Sequence, residues 1–89
     1  MADTLGLYEE ARQLALDLGY VVRVEVLGDL PGGLCAVQGT QHLLLNLEHG
    51  VAERLDKLLA VLVADQRIES EPKSRLLEAR LRGVSAAAG

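Results

Sequence analysis

The first apolar residues of the chain recur at helical spacing. Leu7, Ala11, Leu14 and Leu18 follow one another at intervals of four, three and four, which puts them on one face of a helix over Thr4 to Leu18. Tyr8 and Ala15 widen that stripe, Asp3 or Thr4 can cap its start, and Gly19 stops it. The period then changes to two. In YVVRVEVL, Tyr20, Val22, Val24 and Val26 point one way while Val21, Arg23, Glu25 and Leu27 point the other, the pattern of a half-buried strand. GDLPGG, Gly28 to Gly33, is a loop by composition. Two apolar runs follow, LCAVQ and QHLLLNL, separated by Gly39-Thr40, and a glycine in the first place of a two-residue connection suits a type II′ hairpin. That register sets Val37 opposite His42, Ala36 opposite Leu43 and Cys35 opposite Leu44. One face of the hairpin then carries Leu34, Ala36, Leu43, Leu45 and Leu47, the other Cys35, Val37, His42, Leu44 and Asn46.

Helical spacing returns from about Gly50 to Ala64, with a core stripe of Val51, Leu55, Leu58 and Leu62, Leu59 beside it, and a Glu53–Lys57 pair outside. ADQRIESE reads as a polar connection. A third helix starts at Glu71-Pro72, carries Leu76, Leu77 and Leu81, and ends at Gly83, which leaves residues 84–89 as an unstructured tail. The order α-β-β-β-α-α over residues 1–83 predicts one α+β domain: a three-stranded antiparallel meander, two main helices packed on one face, and a peripheral third helix. The face carrying Cys35, Val37, His42 and Leu44 then has to be covered by the third helix or by a second subunit. This nominates those four residues with Leu76, Leu77 and Leu81 as an interface.

Composition sharpens that expectation. The chain has 89 residues, 49% of them hydrophobic, but no Phe or Trp and only two Tyr, so its core is almost wholly aliphatic. A domain of this size is stable by only roughly 4–13 kcal/mol at ~0.05–0.15 kcal/mol per residue, and dimerisation is a natural supplement. The single cysteine cannot form an internal disulfide, the acidic start MADTLGLYEEAR lacks the basic region of a signal peptide, and no apolar run approaches the ~20 residues that cross a bilayer. The expected location is cytoplasmic. The net charge of −4 is uneven: residues 1–71 hold five basic and twelve acidic side chains, and Lys73, Arg75, Arg80 and Arg82 face only Glu78 beyond them. An acidic body argues against nucleic acid and anionic membranes as partners.

Candidate chemistry concentrates in GGLCAVQGTQHLLLNLEHG, which holds the only cysteine, both histidines and Glu48. Cys35, His42 and His49 are the candidate metal ligands, but the expected register leaves Cys35 and His42 diagonal and puts His49 beyond the strand, and neither CxxC nor HExxH is present. A nucleophilic Cys35 would need a cationic neighbour or a helix N-terminus. His49 and Glu53 stand four apart at a helix start, a spacing open to acid–base work or to plain capping. The glycines of GDLPGG could cradle an anion, yet no Walker or dinucleotide pattern follows. No catalytic residue and no cofactor is implied, and the expectation is a non-enzymatic protein-interaction domain that forms a homodimer.

The run from Leu14 to Leu62, a helix ending in Leu18-Gly19, strands, a hairpin closing on LLLN and a further helix, resembles the core of ImmA/IrrE-type zinc metallopeptidases. The resemblance covers about half of the chain and only its scaffold. Where that family carries HExxH, this sequence reads VAERLDKLLAVL, so no ligand transfers and a regulatory, inactive scaffold is what it implies. The α-β-β-β-α order is also that of double-stranded RNA-binding domains, but HGVAERLDK mixes signs where that family has a lysine-rich helix start. Acidic, Leu-rich dimeric secretion chaperones are similar at the level of class, without their later strands.

Overall fold

A computed structural model describes residues 3–30 and 32–88, with the side chains of 85–88 left out. The elements are α1 (Thr4–Asp17), β1 (Val21–Glu25), β2 (Gly33–Val37), β3 (Thr40–Asn46), α2 (Val51–Val63) and α3 (Arg75–Ala88), with a 3₁₀ turn over Gln66–Ser70 between the last two. The fold is α+β with an open three-stranded sheet, as expected, but the sheet is mixed rather than an antiparallel meander. Its order is β1-β3-β2, with β1 parallel to β3 and β2 antiparallel to it.

Local chemistry explains the ends of α1. The Asp3 carboxylate accepts the Gly6 N–H at 2.9 Å, and a Cβ on Gly6 would collide with that carboxylate. At the other end Tyr20 N–H reaches the Ala15 carbonyl and Gly19 N–H the Leu16 carbonyl, both at 3.0 Å. This is a Schellman ending, and Gly19 takes the left-handed conformation it requires at φ +95°.

β3 suits the middle position because it carries three consecutive leucines, and a central strand is paired on both edges and shielded on its inner face. Leu43 and Leu45 are fully buried there, against Leu55, Leu58, Leu59 and Leu62 of α2 and the Leu7, Ala11, Leu14 and Ala15 stripe of α1. β1, with Arg23 and Glu25, and β2, with Gly33, go to the edges. To reach the far edge, the chain after β1 crosses over the end of β3, and Asn46 holds it there. Asn46 is 1% exposed; its Nδ2 donates to the Gly28 and Leu30 carbonyls at 3.0 and 3.2 Å, and its Oδ1 accepts from Glu48 N–H at 3.0 Å and Leu27 N–H at 3.4 Å. Gly32 completes the crossing at φ +83°, where a Cβ would run into the Leu44 carbonyl oxygen.

The hairpin also differs in register. Its turn is Gln38-Gly39, with φ +50° and +83°, the two positive angles of a type I′ turn. Val37 therefore faces Thr40, Ala36 faces Gln41, Cys35 faces His42 and Leu34 faces Leu43. The shift is two residues, so each residue keeps its expected face.

The end of the chain departs further. The expected polar connection is a structured turn that buries Ile68. α3 begins three residues after Pro72, where Ser74 Oγ accepts the Leu77 N–H at 3.1 Å and Ser74 donates through both N and Oγ to Glu10, at 2.7 and 2.6 Å. It then runs through Gly83 to Ala88, so residues 84–88 of the expected tail are helical and Gly89 lies outside the described residues. α3 packs on α2 and α1 rather than on the sheet, with Leu77 and Leu81 in the core.

Candidate interaction surface

All the helix packing is on the face that carries Leu43 and Leu45. The register puts Val21, Arg23 and Glu25 of β1, Thr40, His42, Leu44 and Asn46 of β3, and Gly33, Cys35 and Val37 of β2 on the opposite face. Asn46 lies under the crossover; among the described residues no helix lies over the rest. Cys35 is exposed, Val37 is 44% exposed, and His42 and Leu44 are half-buried. Arg23 and Glu25 form an ion pair that keeps the β1 side of this face polar. Of the expected interface, Cys35, Val37, His42 and Leu44 thus share the uncovered face. Leu77 and Leu81 are buried inside the chain's own core, and Leu76 is exposed on the helical side.

β2 is the bare element. From Leu34 to Val37 every residue is exposed, because the helices pack on β3 and on part of β1 and stop short of the far edge. Apolar surface flanks it on both faces. On the inner side Leu34 borders a groove of about 650 Å³ with Ala60 and Val61 of α2, Ala64 just past its end, and Tyr20, Asp65, Gln66 and Arg67. On the outer side Leu27, Leu30, Gly32, Gly33, Leu34, Cys35 and Leu44 line a smaller hollow of about 230 Å³.

The polar wall of the groove is a cluster without a sequence signal, because its members stand 45 residues apart. Tyr20 donates its hydroxyl to Asp65 Oδ2 at 2.8 Å, and Arg67 grips the same carboxylate through Nη2 at 2.7 Å, Nε at 3.0 Å and its backbone N–H at 3.0 Å. Arg67 Nη1 also donates to the Leu18 carbonyl at the end of α1, at 2.9 Å. These donors, Arg67 first and Tyr20 next, hold the Asp65 carboxyl well below the usual carboxylate range. Burial, with the hydrogen bond to Asp65, pushes the Tyr20 hydroxyl up. Every group is committed to another, so the cluster ties the α1–β1 junction to the 3₁₀ turn and offers no free acid or base.

The candidate ligands are only partly brought together. Cys35 and His42 are directly opposed, closer than the sequence register placed them, and the His42 Nδ1 is buried without a partner. His49 lies beyond the end of β3 and does not join them. Its backbone N–H donates to Asn46 O at 3.1 Å. Glu53 turns back to accept the Gly50 N–H at 3.3 Å, the capping alternative for the His49–Glu53 spacing. Among the described residues no group of three or more His, Cys, Asp or Glu could hold a metal ion, and no helix is long and apolar enough to cross a membrane. No family model, curated protein or solved structure matches the chain.

Proposed function

We propose that this chain is a protein-interaction domain that works by self-association, with the β2 side of the sheet as its contact surface. The observation that carries this reading is the exposure of β2 along Leu34–Val37, next to an uncovered face bearing Cys35, Val37, His42 and Leu44. Interior-type side chains left in water at a sheet edge are the mark of a surface that another chain covers. The small core supports the same conclusion: a domain of 89 residues with an almost wholly aliphatic interior gains proportionately from burying these side chains in a partner. The groove beside β2 supports contact rather than catalysis, since its titratable groups are locked to one another. Light scattering coupled to size exclusion at micromolar concentration tests the reading. A mass of twice the 9.5 kDa chain is expected, and a strict 9.5 kDa species at every concentration refutes it.

A further inference from the structure

We infer that two copies of this chain join through β2, paired antiparallel about a two-fold axis at Cys35, an inference that rests on the self-association proposed above and specifies its geometry. The hairpin fixes which backbone groups are free. A two-residue type I′ turn makes Val37 and Thr40 a hydrogen-bonded pair, and such pairs alternate along the hairpin. Cys35 with His42 and Gly33 with Leu44 therefore exchange bonds inside the subunit. Leu34 and Ala36 direct their N–H and C=O groups outward, with no strand among the described residues beyond them.

Edge strands are ordinarily guarded by charges, proline or a bulge. Gly33–Val37 has none of these: it is uncharged, and its five pairs with β3 run in unbroken register. The opposite edge, β1, does carry Arg23 and Glu25. A second copy suits the bare edge for two reasons. Because GLCAV holds no charge, antiparallel self-pairing sets no like charges against each other, although each chain carries a net −4. Its free groups are also self-complementary about one centre. With the axis at Cys35, Leu34 of each copy meets Ala36 of the other in a hydrogen-bonded pair, all five residues are paired, and the two sheets become one of six strands. A centre at Leu34 or Ala36 would pair fewer residues.

Side chains fit the same centre. On the inner face the large Leu34 meets the small Ala36. Ala60 of α2 and Ala64 just past its end, small and exposed, do not block the approach. A stable interface buries about 1,200–2,000 Å² in total, more than a five-residue strand supplies, so the flanking Leu30 and Val61 belong to it as well. On the outer face the two Cys35 form a non-hydrogen-bonded pair, with Cα atoms roughly 4.5 Å apart, inside the range a disulfide spans.

Cysteine cross-linking with oxidised glutathione, read on the full chain, tests this. Two Cys35 thiols and one oxidised glutathione give one Cys35–Cys35 disulfide and two reduced glutathione molecules, so the product runs at twice the chain mass on a non-reducing gel. Rapid cross-linking is expected. Ala36→Lys, at an exposed position of β2, should abolish it and yield a monomer with an unchanged circular dichroism spectrum and the melting temperature of wild type diluted to the monomer. Leu76→Lys, on the exposed side of α3, should leave dimer and cross-link intact. A dimer that neither cross-links nor responds to Ala36→Lys overturns the pairing through β2 while self-association stands. A monomer at all concentrations overturns both.

Discussion

Asn46 holds the crossover that makes this sheet mixed, and replacing it measures what that topology costs. In the wild type its amide makes three hydrogen bonds of 3.0–3.2 Å and one of 3.4 Å, and only 1% of the residue is exposed. A hydrogen bond contributes about 0.5–1.5 kcal/mol net, and leaving a buried group unpaired costs about 1–3 kcal/mol. Gly28 and Leu30 are exposed, so water can reach their carbonyls once the side chain is gone, and the lower figure applies to them. Three good bonds at that figure give ~2–4 kcal/mol for Asn46→Ala, a large part of the ~4–13 kcal/mol expected for the whole domain. Asn46→Asp is the sharper probe. It keeps the shape and the acceptor that serves Glu48, but it turns an oxygen, in place of Nδ2, toward the Gly28 and Leu30 carbonyls. At pH 7 it should destabilise at least as much as Asn46→Ala. Urea denaturation with linear extrapolation reads both, and an unchanged slope shows that the fold survives. Wild-type stability in Asn46→Asp would refute the role given to Nδ2 in holding the crossover.

Two further outcomes follow from the core and from the groove. Leu58, fully buried between α2 and the sheet, should cost about 2–5 kcal/mol when cut to Ala, and an unchanged melting temperature would mean that α2 presents another face. Asp65 is held below its ordinary pKa in the folded state by Arg67 and Tyr20, so it binds protons more readily when unfolded. Its stabilisation is therefore fully present above about pH 4 and is lost as the pH falls toward the folded value. Asp65→Asn should be less stable at pH 7 and show a shallower acid loss than wild type in denaturation series between pH 7 and pH 2; parallel curves would remove Asp65 from the account.

What could be read in the sequence was what periodicity reports. Leu43 and Leu45 on one face and Cys35, Val37, His42 and Leu44 on the other were legible because alternation by two fixes the face whatever the partner strand. A hairpin shifted by two residues leaves that parity intact, so the faces survived while the residue opposite Cys35 changed from Leu44 to His42. The turn itself misled because Gly39 fits the first place of one hairpin type and the second place of another. Here Gln38 accepts the first left-handed position at φ +50°. Strand order was not legible, since burial patterns do not say which strand lies next to which, and the connection after β1 is long enough to cross β3. Asn46 looked like one more polar residue on a mixed face; its meaning lies in carbonyls 16 and 18 residues away. Tyr20, Asp65 and Arg67 were invisible for the same reason. The third helix was legible as an element but not in its ends, Arg75 and Ala88, and its apolar residues were too few to show that Leu77 and Leu81 fill the chain's own core.

Amide hydrogen exchange along β2, followed residue by residue, decides whether two copies pair through this strand. In a free edge the N–H groups of Cys35 and Val37 are protected by β3 while those of Leu34 and Ala36 face water. Pairing of two copies through this strand predicts protection at Leu34 and Ala36 that rises with protein concentration and disappears in Ala36→Lys at Leu34. Fast exchange at both residues, at a concentration where the chain is dimeric, would contradict it.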